Sequence, residues 1–422
     1  MRTLRYRPLN LSRWLLWGAT AFLFITAPLL SDASFFLTML TQMGTFIIFA
    51  LSYNMLLGQG GMLSFGHAVY SGLGAYFAVH ALNMIGKGTL VFPVTLLPLI
   101  GGVAGILFGV LFGYVTTKKA GTTFAMITLG IGELVHACVL MFPDFFGGEG
   151  GIATNRVAGG SFLGITYGPS IQVYYLVAFW CFISMAAMYA LTQTPLGRMA
   201  NAVRDNPERA EFVGYDTHKV RFLQLVLSAF FAGVAGALTS INFEIVSDEN
   251  VSALRSGGVL LATFIGGVPF FFGPIIGAIV FVFFVVALSG FTQAWLLYLG
   301  LFFVAMVLYA PGGIASLIMM QVAVIRARRF RELVVPYLLA AAAALVALAG
   351  LIGIVEMVYR ISDENLETAM NLAGIASDAK STPPWIVFGI VLAAGLAALA
   401  ASSKLVGARW GKIQQEIGEG QR

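Results

Sequence analysis

Ionisable side chains are rare in this sequence, so those that interrupt its apolar runs stand out. Glu133 and His136 lie three apart within TLGIGELVHACVL. On a helix that spacing puts them on one face, close enough to pair. His67 sits with Ser64 in a Gly- and Ser-rich stretch, and Asn54 precedes them. In an apolar surrounding such groups must face protein or a water-filled cavity. Two roles fit them. They line a path for a zwitterionic or anionic solute, or they are helix–helix glue. In the second case Glu133 pairs with His136, His67 is packed tightly between Gly66 and the Gly72-x-Gly74 pair, and Asn54 bonds a broken helix. Other chemistry is missing from the pattern: there is no G-x-x-x-x-G-K-[ST], no H-E-x-x-H, no catalytic triad and no metal-ligand cluster. Cys138 and Cys181 both lie in apolar runs, which excludes a disulfide framework. No metal or cofactor is expected on this chain. If ATP drives it, another subunit binds the ATP and Mg.

The second informative stretch is 192–221, TQTPLGRMANAVRDNPERAEFVGYDTHKVR. Pro195 suits a first helical turn, so a short helix is expected over 195–206. Asn206-Pro207 breaks it. A second short helix is expected over Glu208 to Val213, with Gly214 as its C-cap. Two short helices joined by a turn make a docking knob, with Arg198, Arg204 and Arg209 turned to water or to an acidic partner. A plain basic loop is the alternative. The Gly-rich runs 58–61 and 147–151 read as sharp chain reversals, although their backbone N–H groups could also meet an anion or a partner.

The elements that position these groups follow from composition. The chain has 422 residues, 59% of them hydrophobic and only 10% charged, with a mean hydropathy of +0.89. A water-facing domain carries about 25% charge. The deficit excludes a soluble enzyme, a disordered chain and a nucleic-acid-binding domain, and leaves a polytopic membrane protein in a lipid bilayer. Apolar stretches long enough to span, about 20 residues each, are expected at 14–30, 35–57, 62–85, 90–115, 121–142, 171–191, 221–241, 274–290, 293–309, 334–357 and 384–402. A twelfth, 257–268, is short and flanked by glycines, and reads as a half-helix or re-entrant segment. With a cytoplasmic N-terminus, nineteen of the 24 Lys and Arg residues fall on inside loops. Lys87, Arg156, Arg255, Arg360 and Lys380 remain outside. This asymmetry orients the chain with both termini in the cytoplasm. The arginines before residue 14 resemble a secretory signal, but the run that follows is long enough for a retained helix. A bacterial inner membrane is the expected home.

Several of these segments resemble one family. Pro-Leu-Gly-Arg, then Ala-x-Arg-Asp-Asn, then Ala-x-x-x-Gly in the 192–221 loop is similar to the cytoplasmic motif of LivM-type permeases of branched-chain amino acid ABC importers. Residues 54–76, 128–152, 225–238 and 266–278 resemble further segments of that family, with Pro269 where Gly is usual. The resemblance covers about residues 35–320. It implies an all-α polytopic, type II-like fold: about ten core helices plus a C-terminal two-helix extension. The implied organisation is 1–34 as N-terminus and first helix, 35–320 as permease core, and 321–422 as basic linker, two extra helices and tail. It implies that Gly197, Arg198, Ala202, Arg204, Asp205, Asn206, Ala210 and Gly214 couple the chain to an ATPase. It also implies as partners a second, LivH-like permease, two ATP-binding subunits and a periplasmic substrate-binding protein. The chain itself is then a transport subunit and not an enzyme. Branched-chain amino acids are the family's default solutes, with urea, short amides and small organic acids open.

The extension over 334–402 departs from the family pattern. Its outer loop carries Asp363, Glu364, Glu367 and Asp378. It is expected to be a lipid-facing appendage or a contact for a partner. A competing reading is a self-sufficient transporter in which Glu133 and His136 relay protons and 257–268 forms the binding site. A scaffold protein would need neither a half-helix nor a docking loop.

Overall fold

The computed structural model describes residues 11–31, 33–158, 165–326, 329–362, 369–372, 375–378 and 380–419. Arg2, Arg5, Arg7, Asp32, Arg328, Asp363, Glu364, Glu367 and Arg422 lie outside them, as do the side chains of Arg13, Arg326 and Asp378. The chain divides into two compact units, Met1–Leu288 with Phe302–Ala315 and Ser289–Leu301 with Ser316–Arg422.

Both units are helical. The first contains α1 (Leu11–Thr26), α2 (Ser34–Asn54), α3 (Ala68–Gly86), α4 (Leu97–Thr116), α5 (Gly121–Met141), α6 (Pro143–Phe146) and α7 (Ser170–Gln193). It continues with α8 (Pro195–Asp205), α9 (Pro207–Phe212), α10 (Thr217–Phe243), α11 (Ala253–Gly266) and α12 (Gly273–Val282). Next come α13 (Trp295–Tyr309) and α14 (Gly313–Arg326), then α15 (Arg331–Ser362) and α16 (Thr382–Glu419) in the second unit. Strands are minor. β1 (Ile152–Ala153) pairs antiparallel with β2 (Ile245–Val246), Ile152 opposite Val246. β3 (Ala369–Leu372) pairs antiparallel with β4 (Ile375–Asp378).

Among the described residues eight helices are long and apolar enough to cross a membrane, and up to nine if α13 and α14, bent by 47° at their break, count as one span. This is an all-α polytopic membrane protein. The span boundaries correct several expectations. The 14–30 stretch is a shorter apolar helix, while α11 is short as expected, shifted to Ala253–Gly266. The third segment begins at Ala68 rather than residue 62, because Gly60–His67 runs as irregular backbone. The apolar run after residue 309 forms α14, which the sequence pattern did not separate.

α10 is the centre of the first unit. In its span 72% of the most apolar window is buried, against 33% for α5, which therefore lies at the edge. Lipid offers no hydrophobic drive for helix association, so close backbone approach supplies it. Gly101, Gly105, Gly109 and Gly113 form an i, i+4 stripe on α4 facing Ala229, Gly233 and Ala237 of α10. A Cβ on Gly109 would stand 2.8 Å from the Ala229 Cβ, and one on Gly113 2.9 Å from Leu225. The α10 N-terminus is capped by Asp216, whose Oδ1 accepts the Lys219 backbone N–H at 3.1 Å. That bond holds the Asp216 carboxyl below the ordinary carboxylate range.

Three stretches interrupt the helices. α2 ends in a π-turn, Met55–Gln59, followed by the irregular Gly60–His67. After α10 the chain does not leave the bundle. Glu244 turns it in a left-handed conformation (φ 56°), and Ile245–Ser252 folds back beside α3, where Val251 and the Asn250 carbonyl close over Gly72. Gly267–Phe272 joins α11 to α12. Irregular backbone at membrane depth is tolerated only where protein or a water cavity covers it.

Candidate functional site

The first candidate region is the α8–α9 knob, which folds as the sequence predicts. The Thr194 hydroxyl caps α8 by accepting the Gly197 N–H at 3.3 Å. Asn206 ends α8 and caps α9, its Oδ1 accepting the Arg209 N–H at 2.9 Å. Gly214 closes α9 at φ 89°, a conformation open to glycine. Ala200, Val203, Ala210 and Val220 form a small buried core beneath the knob. Gly197 is buried against the end of α7, where a Cβ would lie 2.8 Å from the Thr192 Cα, while Ala202 is exposed.

The three arginines expected to face outward divide. Arg198 and Arg209 are exposed, and among the described residues their side chains make no hydrogen bond or ion pair. Arg204 is exposed too, but its guanidinium is engaged. Its Nη1 donates to the Gly58 carbonyl oxygen, its side chain packs on Gly61, and its Nε donates to Asp205 at 2.9 Å. The difference has a physical cause. The π-turn frees carbonyls at the end of α2, and a guanidinium is the donor that can reach one while holding a carboxylate. The tip of the knob is apolar: Phe212 is 90% exposed and Val213 70%.

The second region is polar and lies inside the bundle. Gln224 and Ser228 of α10 serve the end of α2: Gln224 Nε2 donates to the Met55 carbonyl at 2.9 Å, and Ser228 Oγ to the Ser52 carbonyl at 2.6 Å. Ser52 Oγ donates to the Phe49 carbonyl at 2.7 Å and lies 3.0 Å from His67 Nε2. With its one proton engaged, Ser52 accepts from His67 Nε2–H, which leaves Nδ1 an acceptor without a partner. The His67 ring stacks on Phe49 at 5.5 Å and meets Tyr53 and Tyr70 edge-on. Asn54, Ser64 and His67 are all buried within the chain, so they line no surface that this chain leaves open. Asn54 Oδ1 and Ser64 Oγ are likewise buried without partners among the described residues.

Glu133 and His136 do not pair, contrary to the expectation from their spacing. His136 Nε2 lies 3.2 Å from Asp248 Oδ2 on the segment that folds back after α10. Glu133 is exposed, and among the described residues it has no hydrogen bond or ion pair. The (i, i+3) rule places both side chains on one face, but α5 is an edge helix, and only the His136 side of that face meets the returning chain.

Sequence reasoning missed Arg255, which it counted with the outer loops. Arg255 occupies the first turn of α11, after the N-cap Ser252, and its guanidinium lies over the Phe49 ring at 5.8 Å. Its Nε is buried without a partner, and it has no ion pair among the described residues. The available signal was Ser252 three residues ahead of Arg255, a helix start that places the arginine on the half-helix and not before it.

Among the described residues no group of three or more His, Cys, Asp or Glu could hold a metal ion. The arrangement is that of a helical bundle with broken backbone, interior polar groups and a protruding knob.

Comparison with known proteins agrees. The chain is 29% identical over 290 residues to the high-affinity branched-chain amino acid transport system permease protein LivM of Escherichia coli, covering 64% of this chain and 67% of that one. It is 25% identical over 234 residues to a probable branched-chain amino acid transport permease protein LivM of Methanocaldococcus jannaschii (47% and 65%). It is 22% identical over 252 residues to the permease protein BraD of Pseudomonas aeruginosa (57% and 80%). No solved structure matches. Residues 35–311 match the family described as branched-chain amino acid transport system / permease component, and with the bundle and its broken helices in place the chain belongs to that family.

Proposed function

We propose that this chain is the membrane-spanning permease of an ATP-driven importer for branched-chain amino acids or related small zwitterionic or organic-acid solutes. It works in a bacterial inner membrane with both termini and the α8–α9 knob in the cytoplasm. A second, LivH-like permease completes the path, two ATP-binding subunits carry ATP and Mg, and a periplasmic binding protein delivers the solute. The observation that supports this reading is the knob: a rigid, doubly capped helix pair with an exposed apolar tip, free cations at Arg198 and Arg209, and a guanidinium fastened to the break at the end of α2. Movement of an ATPase against this knob is passed through Arg204 to Gly58 and so to the irregular Gly60–His67 backbone.

His136 faces Asp248 rather than Glu133, which weighs against the competing reading in which Glu133 and His136 relay protons. The test is to tag the chain, extract it from native membranes in mild detergent and identify what co-purifies by mass spectrometry. Recovery of a second permease and ATP-binding subunits is expected. A chain that elutes alone, stable and monodisperse, while its cells still take up leucine would overturn the reading.

A further inference from the structure

The hairpin of α15 and α16 ends in positive charge that its own acids do not balance. Its helices are the least buried of the eight spans, at 22% and 17% of their most apolar windows, so the chain leaves most of their surface to the bilayer. Close approaches set their antiparallel register. A Cβ on Gly350 would stand 2.7 Å from the Leu392 Cα, and one on Gly395 2.5 Å from the Ala347 Cα. At the basic end the Arg329–Glu416 ion pair and the buried cluster shared by Leu333 and Ile413 continue that register. Arg331 is thereby brought to the level of Arg409 and Lys412. Arg331, Lys404, Arg409 and Lys412 are all exposed, and among the described residues none of them makes a hydrogen bond or ion pair. Glu332 and Glu416, the acids of this end whose side chains are described, are both held by Arg329.

Helix length gives these cations a depth. Trp385 marks the far end of α16, and tryptophan favours the membrane–water interface. At 1.5 Å per residue Lys404 lies about 29 Å from it, roughly the thickness of the hydrocarbon core. Arg409 and Lys412 follow at about 36 and 40 Å, which is the headgroup layer. Between the cations α16 is bare. Gly407, Ala408 and Gly411 are exposed, and a Cβ on either glycine would meet nothing within 4 Å. They follow Lys404 by three, four and seven residues, so they share its helix face. Arg409 and Lys412, three apart, are neighbours on the helix surface, and no described acid relieves their repulsion. An anionic group can thus come close to the α16 backbone with Lys404 on one side and Arg409 and Lys412 on the other.

We propose that this end of the hairpin binds the headgroup phosphate of an anionic phospholipid. Arg331, Arg409 and Lys412 meet the phosphate at its own depth, and Lys404 extends to it from the edge of the hydrocarbon. The exposed apolar flank of the same hairpin takes the acyl chains. Clustered cations beside a membrane helix are attracted to anionic lipid, and this cluster is left uncompensated where that lipid carries its charge. An acidic protein surface would have to enter the headgroup layer to compete. The proposal needs only that the hairpin spans the bilayer, so it stands or falls apart from the permease reading and its solute.

The test reconstitutes the full chain, with whatever co-purifies, in phosphatidylcholine vesicles carrying a trace of photoactivatable phosphatidylglycerol. Labelled residues are mapped by mass spectrometry. Label is expected within 404–412, displaced by excess phosphatidylglycerol but not by phosphatidylcholine, and weakened by added salt. Each charge removed by Lys404→Gln, Arg409→Gln and Lys412→Gln should lower that label about five-fold. The charge-keeping variants Lys404→Arg and Lys412→Arg should retain it. Displacement and salt dependence are read on the wild-type chain, so the result does not depend on the variants folding. Equal displacement by both lipids, or full label in the triple Gln variant, overturns the proposal and leaves an ordinary lipid boundary. Label that appears on the chain alone and vanishes when its protein partners are bound also overturns it, assigning the cations to an acidic protein surface.

Discussion

The Arg204 guanidinium donates to the Gly58 carbonyl oxygen across 146 residues of sequence, fastening the knob to the π-turn that ends α2. A charged hydrogen bond of this kind contributes about 1.5–3 kcal/mol. Arg204→Glu should therefore release α8 from the turn while leaving the membrane helices packed, because the contacts of α10 with α2 and α4 do not involve it. The expected outcome is normal insertion, with ATPase co-purification and uptake reduced about ten-fold or more. Pull-down and uptake on the same membranes check it. Full activity would show that the latch carries no movement.

The knob's tip makes a different prediction. Phe212 and Val213 are exposed and outside the buried core formed by Ala200, Val203, Ala210 and Val220. Phe212→Asp should leave the melting temperature of the isolated chain unchanged. An aromatic anchor at an interface is worth about 2 kcal/mol or more, so affinity for the ATP-binding subunit should fall roughly 30-fold. Titration of detergent-solubilised chain with purified ATPase reads this directly. A variant that binds normally would place the docking contact elsewhere on the knob.

A third prediction concerns packing alone. Gly233 of α10 sits where α4 crosses, and a Cβ there would collide with the Gly101 carbonyl and stand 3.2 Å from the Gly105 Cα. Both obstacles are backbone and cannot swing aside. Gly233→Val should force the helices apart at a cost of about 1–3 kcal/mol or more, seen as a lower unfolding temperature in detergent and poorer recovery from membranes. Gly130→Ala is the control, because a Cβ there meets nothing within 4 Å.

Much of this architecture is legible in the residues. The caps of α8 and α9 follow from Pro195, Asn206-Pro207 and Gly214, whose backbone preferences act locally. The half-helix α11 follows from its length and flanking glycines. What could not be read were the partners that only tertiary packing chooses. Helical periodicity set Glu133 and His136 on one face, yet the returning Asp248 claims His136. Arg204 reads as a solvated cation until the π-turn supplies an acceptor. The Ser252 cap could have placed Arg255 on α11, but not over the Phe49 ring. The i, i+4 glycines of α4 were visible as GGVAGILFGVLFG, but their partner helix was not.

The His136–Asp248 contact ties the edge helix α5 to the segment that folds back beside α3. Both side chains are about three-quarters buried, at 28% and 24% exposure, so solvent screens the contact less than it would on a surface. Double-mutant cycles separate this tether from the individual side chains. Asp248→Asn and His136→Gln should each lower thermal stability, and the double variant should lower it by less than their sum. A coupling of about 0.5–3 kcal/mol is expected for residues in direct contact. The same variants should increase hydrogen exchange in 247–252 and leave α8 and α9 unchanged, since the knob shares no contact with this segment. Strict additivity with unchanged exchange would mean that Val251 packing against Gly72, rather than the His136–Asp248 contact, holds the returning chain in place.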